Sequence, residues 1–197
     1  MQKYKVLTIL TLAFLTFFTQ AVMADEQADI QLMMKEKIGM VTRTIQDKSI
    51  DKATRDTKVD NAVRPLFDFG LMGRLSLGKK QWKKLSVEER QRFSSLFEAR
   101  VMNSYMSKLD LYTDEIVVID DAKKVKSRIH LPTYFMRKNE KRDILYKFYK
   151  SKKRGWLIYD VDILGVSIIQ TYRTQFSGIL KEDTFAALLE KLKTSES

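Results

Sequence analysis

Few residues in this chain could do chemistry, and their types narrow the choices at once. There is no Cys, so thiol nucleophiles, disulfides, zinc fingers and iron–sulfur clusters are excluded. The single His, His130, rules out multi-histidine metal sites and leaves any Ser-His-Asp arrangement one candidate base. No Ser or Asp partner flags it, and Lys124, Lys126 and Arg128 around it read as a solvated strand face. Asp160 and Asp162 stand two apart, a spacing open to acid–base or glycosidic work. A simpler use is as cross-strand partners of the Lys124/Lys126/Arg128 face. Lys147–Arg154 interleaves aromatics with cations, as single-strand nucleic-acid binders do, but also as a charged hairpin turn would. No glycine-rich phosphate loop, His-Glu-x-x-His or nucleophile elbow occurs. The expectation is a protein that is not an enzyme, with no metal and no cofactor.

The rest of the chain decides where these residues sit. Its 197 residues are 44% hydrophobic and 31% charged, with seven Gly and two Pro, a composition for one globular domain. A formal net charge of +11 favours anionic partners, either nucleic acid or phospholipid head groups. Lys3 and Lys5, the apolar run Val6–Phe18, and Val22 and Ala24 ahead of Asp25-Glu26 have the order of a secretory signal peptide. Cleavage after Ala24 is expected, leaving 25–197 as a single domain. Losing Lys3 and Lys5 takes the charge from +11 to +9. An exported chain meets anionic membrane surfaces far more than nucleic acid, so lipid or a charged partner is expected and nucleic acid is not.

Apolar residues at Ile30, Met34, Ile38, Val41 and Ile45 repeat every 3.6 residues and predict a helix over 25–45. A more polar helix follows over 51–63, then a short one capped by Asp68 and stopped by Gly78. Ser86-Val87-Glu88-Glu89 is a capping box, opening a helix with Phe93, Leu96, Phe97, Val101, Tyr105 and Leu109 on one face. The period then changes to two, predicting strands over 115–120, 124–131, 143–150 and 156–163, joined by turns too short for parallel crossovers. Alternation puts Val125, Ile129 and Leu131 on one face of the second strand, and Ile144, Tyr146 and Phe148 on that face of the third. Leu157, Tyr159, Val161 and Ile163 follow on the fourth, with Asp160 and Asp162 turned away. Ser167 and Thr184 cap two closing helices, whose stripes include Ile169, Tyr172 and Phe176. The fold class expected is α+β: N-terminal helices, a four-stranded antiparallel curved sheet, and C-terminal helices, enclosing an apolar interior. The stripe Phe93/Phe97/Val101/Tyr105, the sheet face Tyr146/Phe148/Tyr159/Val161/Ile163 and Ile169/Tyr172/Phe176 converge there. A filled core and a pocket wall look alike in such a pattern. With a rim of Lys and Arg, a pocket would suit a ligand with long apolar tails and an anionic head.

Pro65-Leu66-Phe67-Asp68-Phe69, Met72, Leu77-Gly78, Trp82 and Leu85-Ser86-x-x-Glu89-Arg90-x-x-Phe93 resemble the MlaC-type (toluene-tolerance) periplasmic phospholipid-binding proteins. The second half agrees, with Tyr105, Gly155-Trp156-x-x-Tyr159-Asp160-Val161, Gly165-Val166-Ser167, Tyr172-Arg173 and Phe176, in order from about Ile30 to Leu192. The resemblance implies an NTF2-like general shape and a monomeric periplasmic shuttle holding a phospholipid. It implies partners too: an inner-membrane ABC transporter complex with MCE domains and an outer-membrane lipoprotein complex, together maintaining outer-membrane lipid asymmetry. It places Val166 at the pocket mouth and Phe69, Met72, Phe97, Tyr105, Tyr159 and Val161 along the wall.

Two acyl chains with about 30 methylenes would cost on the order of 24 kcal/mol if left wet, at about 0.8 kcal/mol each. A carrier therefore needs a deep slot. Two other readings compete. A steroid-isomerase-type enzyme on a cone-shaped α+β fold would need an acid inside the pocket, and an envelope adaptor module would have a filled core and no lipid.

Overall fold

Five polar side chains set the helix starts, and each makes the bond that its position calls for. In the computed structural model, which describes residues 26–107, 109, 116–138 and 140–193, Asp51 accepts from the Thr54 amide, Asp68 from Leu71, Ser86 from Glu89, Ser167 from Gln170 and Thr184 from Ala187. Each satisfies an amide that the first helical turn leaves without a partner. The resulting helices are α2 (Lys52–Val63), α3 (Phe69–Leu77), α5 (Val87–Met106), α6 (Ile168–Glu182) and α7 (Phe185–Lys193). They join α1, helical over 26–46, and the short α4 (Lys79–Lys84). The expected signal peptide lies outside the described residues.

The sheet contains β1 (Ile116–Ile119), β2 (Lys123–Val125), β3 (Arg128–Arg137), β4 (Glu140–Ser151), β5 (Gly155–Ile163) and β6 (Val166–Ser167), antiparallel throughout. Six strands replace the expected four for two reasons. The expected strand over 124–131 is broken by a turn at Lys126-Ser127, where Lys126 takes φ 58° without the usual Gly or Asn signature. A short β6 also returns along β5 through Leu164-Gly165. β3 then runs on through Pro132 to Arg137, with β2 on its first half and β1 on its second.

Pro132 explains the gap between β1 and β2. Its carbonyl accepts from the Asp120 amide at 3.0 Å, so its missing N–H faces that same edge. Asp120, Asp121 and Ala122 bulge out opposite the position where no ladder bond can form. α1 docks on the bulge: Gln27 donates to the Ala122 carbonyl at 2.5 Å, and Gln31 donates to Asp121 at 3.3 Å.

Strict alternation also fails on β5. Lys147 pairs with Asp160 and Phe148 with Ile158, which leaves Tyr159 as an extra residue. Ile158 and Val161 therefore both face inward, while Tyr159 shares the outer face with Arg128, whose guanidinium lies 4.0 Å from its ring, and packs edge-on to Tyr149. This corrects the expected inward placement of Leu157 and Tyr159.

α3, α5, α6 and α7 cover one part of the inner face. Phe93 meets Phe176 at 5.6 Å and Phe97 meets Tyr172 at 5.2 Å between ring centroids, both edge-to-face. Gly73 lets α3 approach this stack: a Cβ there would lie 3.2 Å from both Phe93 and Phe97. Gly73→Leu is expected to cost about 2–3 kcal/mol by overpacking, measured by urea unfolding against a Gly70→Ala control, since Gly70 is exposed.

Candidate functional site

Beside the packed aromatic stack, the inner face of the sheet opens into a cavity of about 270 Å³, just under the roughly 300–1,000 Å³ of small-molecule pockets. Its floor is the sheet, through Val117, Phe135, Ile144, Tyr146, Ile158 and Val161. α1 forms one wall, because Met34, Ile38, Val41 and Ile45 recur on one helical stripe. Val59 and Val63 of α2, with Phe67 and Phe69 at the start of α3, form the next. The C-terminal turns of α5 close it with Val101, Met102, Tyr105 and Met106. Tyr105, 39% exposed, marks the opening. Three of the wall residues are Met, whose unbranched chains repack to admit ligands of differing shape.

Of the fifteen residues expected at a lipid site, six line this cavity, seven pack in the core beside it, and two lie outside both. Phe69, Val101, Tyr105, Tyr146, Val161 and Ile163 line it. Met72, Phe93, Phe97, Phe148, Ile169 and Phe176 are instead buried in the core, and Tyr172 packs on Phe97. They fill the half of the interior where helices cover the sheet closely. Tyr159 is turned out by the bulge. Val166 lies on β6, 60% exposed and outside the lining. The residues not anticipated are the walls from α1 and α2. The stripe on α1 was visible as amphipathic periodicity, but nothing in it separates a face packed on core from one facing a void.

Asp160 and Asp162 lie on the opposite face of the sheet, and no acid lines the cavity among the described residues. Their cation is Lys147, at 3.0 Å and 2.5 Å, rather than Lys124, Lys126 or Arg128, because Lys147 is directly across from Asp160 in the ladder. Asp160, 5% exposed, also accepts from the Ser167 hydroxyl at 2.8 Å and the Ile169 amide at 3.2 Å. This buried carboxylate thus fixes the start of α6, which carries Ile168 to the cavity. Burial alone would push the Lys147 ammonium down, but its hydrogen bonds to Asp162 and Asp160 outweigh that and hold it above the ordinary lysine range. Burial, then the neighbouring Lys147 charge, holds His130 below its ordinary value. These groups form a structural ion network rather than an acid–base pair facing a pocket.

The protein-family model described as MlaC protein matches residues 35–194. The chain is 26% identical over 204 residues to the intermembrane phospholipid transport system binding protein MlaC of Haemophilus influenzae, covering 100% of this chain and 95% of that one. Among solved structures it is similar to the phospholipid-binding protein from Ralstonia solanacearum in complex with a phospholipid. That match has a TM-score of 0.71 and 22% identity, over 82% of this chain and 93% of the other, a likeness of fold.

Two outcomes test the ion network. Asp160→Ala should cost about 3 kcal/mol, since it removes a cap and strands part of a buried charge pair, read by chemical denaturation. A raised lysine pKa contributes stability that is fully present below the unfolded value of roughly 10.4 and is lost as pH rises through the folded value. The stability gap between wild type and Lys147→Met should therefore be constant near neutral pH and shrink above that range.

Proposed function

The chain belongs to the MlaC family, and on that premise we propose that it is a periplasmic phospholipid-binding shuttle. In this reading it carries lipid between outer-membrane and inner-membrane components of an Mla-type system that maintains outer-membrane lipid asymmetry. The observation that carries it is the cavity: a wall of aliphatic, Met and aromatic side chains between sheet and helices, open beside Tyr105. The Haemophilus relative is by name a binding protein of intermembrane phospholipid transport, and the Ralstonia structure holds a phospholipid. Acyl tails would lie against the α1 stripe and the sheet floor, with the head toward the opening. Widening to seat them draws on Met34, Met102 and Met106.

The shuttle acts as a monomer after cleavage at Ala24 and performs no chemical step of its own. Neither metal nor cofactor enters the reading, and the lipid is its one ligand. Its partners are an inner-membrane ABC transporter complex with MCE domains and an outer-membrane lipoprotein complex, and release is coupled to docking on either.

Native mass spectrometry of the purified mature protein, with solvent extraction, tests this. The expected result is a bound mass of about one phospholipid that disappears on unfolding. Val41→Trp, which places a ring on the half-buried α1 wall, should lower lipid occupancy several-fold with the thermal midpoint little changed. Wild-type protein that neither co-purifies with lipid nor takes it up from vesicles would favour the adaptor reading.

A further inference from the structure

One cation in this protein is half-buried without a partner among the described residues, and it stands on the cavity wall. Lys37 lies on α1 between Met34 and Val41, on the stripe that lines the cavity. It is the one charged side chain among the lining residues described. The other half-buried Lys and Arg residues among the described ones all have interaction partners. Arg55 bonds Asp56, Arg64 bonds Asp60, Arg90 bonds the Trp82 carbonyl, Arg128 lies over Tyr159, Lys147 bonds two aspartates, and Arg100 is also engaged. Lys37 has no hydrogen bond or ion pair to any described residue. No anion stands beside this ammonium within the described chain, and an anionic oxygen brought to the wall would give it a charge-assisted partner. The polar hydroxyl nearest in sequence on this wall, Thr42, carries no charge.

We propose that Lys37 is the specificity-determining residue for the ligand's head, pairing its ammonium with the anionic oxygens of a phosphodiester whose tails occupy the cavity. The inference rests on the carrier reading and adds to it a head-group preference and the residue that enforces it. Lysine suits such a position, because a four-carbon stem can lie along an apolar wall while its ammonium reaches toward water. A charge-assisted hydrogen bond to phosphate then supplies the partner that the ammonium lacks. A neutral lipid with the same tails would fill the cavity but leave Lys37 unpaired.

The test uses two probes with identical tails, palmitoyl-oleoyl phosphatidylglycerol and palmitoyl-oleoyl glycerol. Delipidated mature protein takes them up from mixed vesicles, and binding is counted by native mass spectrometry. Wild type should prefer the phospholipid by roughly tenfold or more, the scale of one charge-assisted bond. Lys37→Gln should bring the preference toward unity by losing phospholipid while keeping the neutral lipid, and Lys37→Arg should restore it. Retention of the full preference in Lys37→Gln overturns the assignment, as does a wild type that takes both probes equally; either leaves the carrier reading standing. A wild type that binds neither probe overturns the carrier reading, and the assignment with it.

Discussion

A single extra residue on β5 governs how the helices meet the sheet. With Tyr159 bulged out, Ile158 and Val161 both face the interior, and the backbone on either side of the bulge becomes an anchor. On one side, the Ile158 carbonyl accepts from the Asp68 amide at 2.9 Å, and Phe67 pairs with Ile158 as a short parallel bridge. Asp68 also accepts from the Tyr149 hydroxyl and caps α3. On the other side, Asp160 holds Ser167 and the Ile169 amide at the start of α6. The starts of α3 and α6 are therefore tied to one strand a few residues apart. Arg173 then bonds the Leu75 carbonyl at 2.7 Å, joining the two helices to each other.

That arrangement divides the interior. α3 and α6, pinned to β5, close over the sheet with α5 and α7, and rings fill the space between them. α1 meets the sheet elsewhere, at the bulge opposite Pro132, through two glutamines near its start. Beyond that contact its apolar stripe stands off from the floor, and the cavity lies between. One half of the molecule is thus a rigid aromatic block, and the other is a wall of aliphatic and Met side chains around a void.

Much of this was legible in the residues. Asp68, Ser86, Ser167 and Thr184 marked helix starts because capping is a local bond between near neighbours. Gly78 marked an end for an equally local reason, its φ of 83°. The expected strands over 143–150 and 156–163 lie within β4 and β5. Features that depend on a partner strand were not legible. The Tyr159 bulge exists only relative to Lys147 and Phe148 across the ladder, and the gap beside Pro132 only relative to β1 and β2. Separating Phe93 or Phe176 from Val101 or Tyr105 had the same difficulty. All are apolar on amphipathic helices, and the difference lies in how closely the opposite surface approaches.

The interrupted margin of the sheet has a consequence of its own. β1 and β2 form the outer edge, four and three residues long, with the Asp120–Ala122 bulge between them, Lys123 and Lys124 along the second and Lys126 in the turn that follows it. A foreign strand extending the sheet there would find only brief stretches of open backbone, out of register with each other and guarded by positive charge. The proline that costs β3 a ladder bond thereby helps keep separate molecules from joining edge to edge.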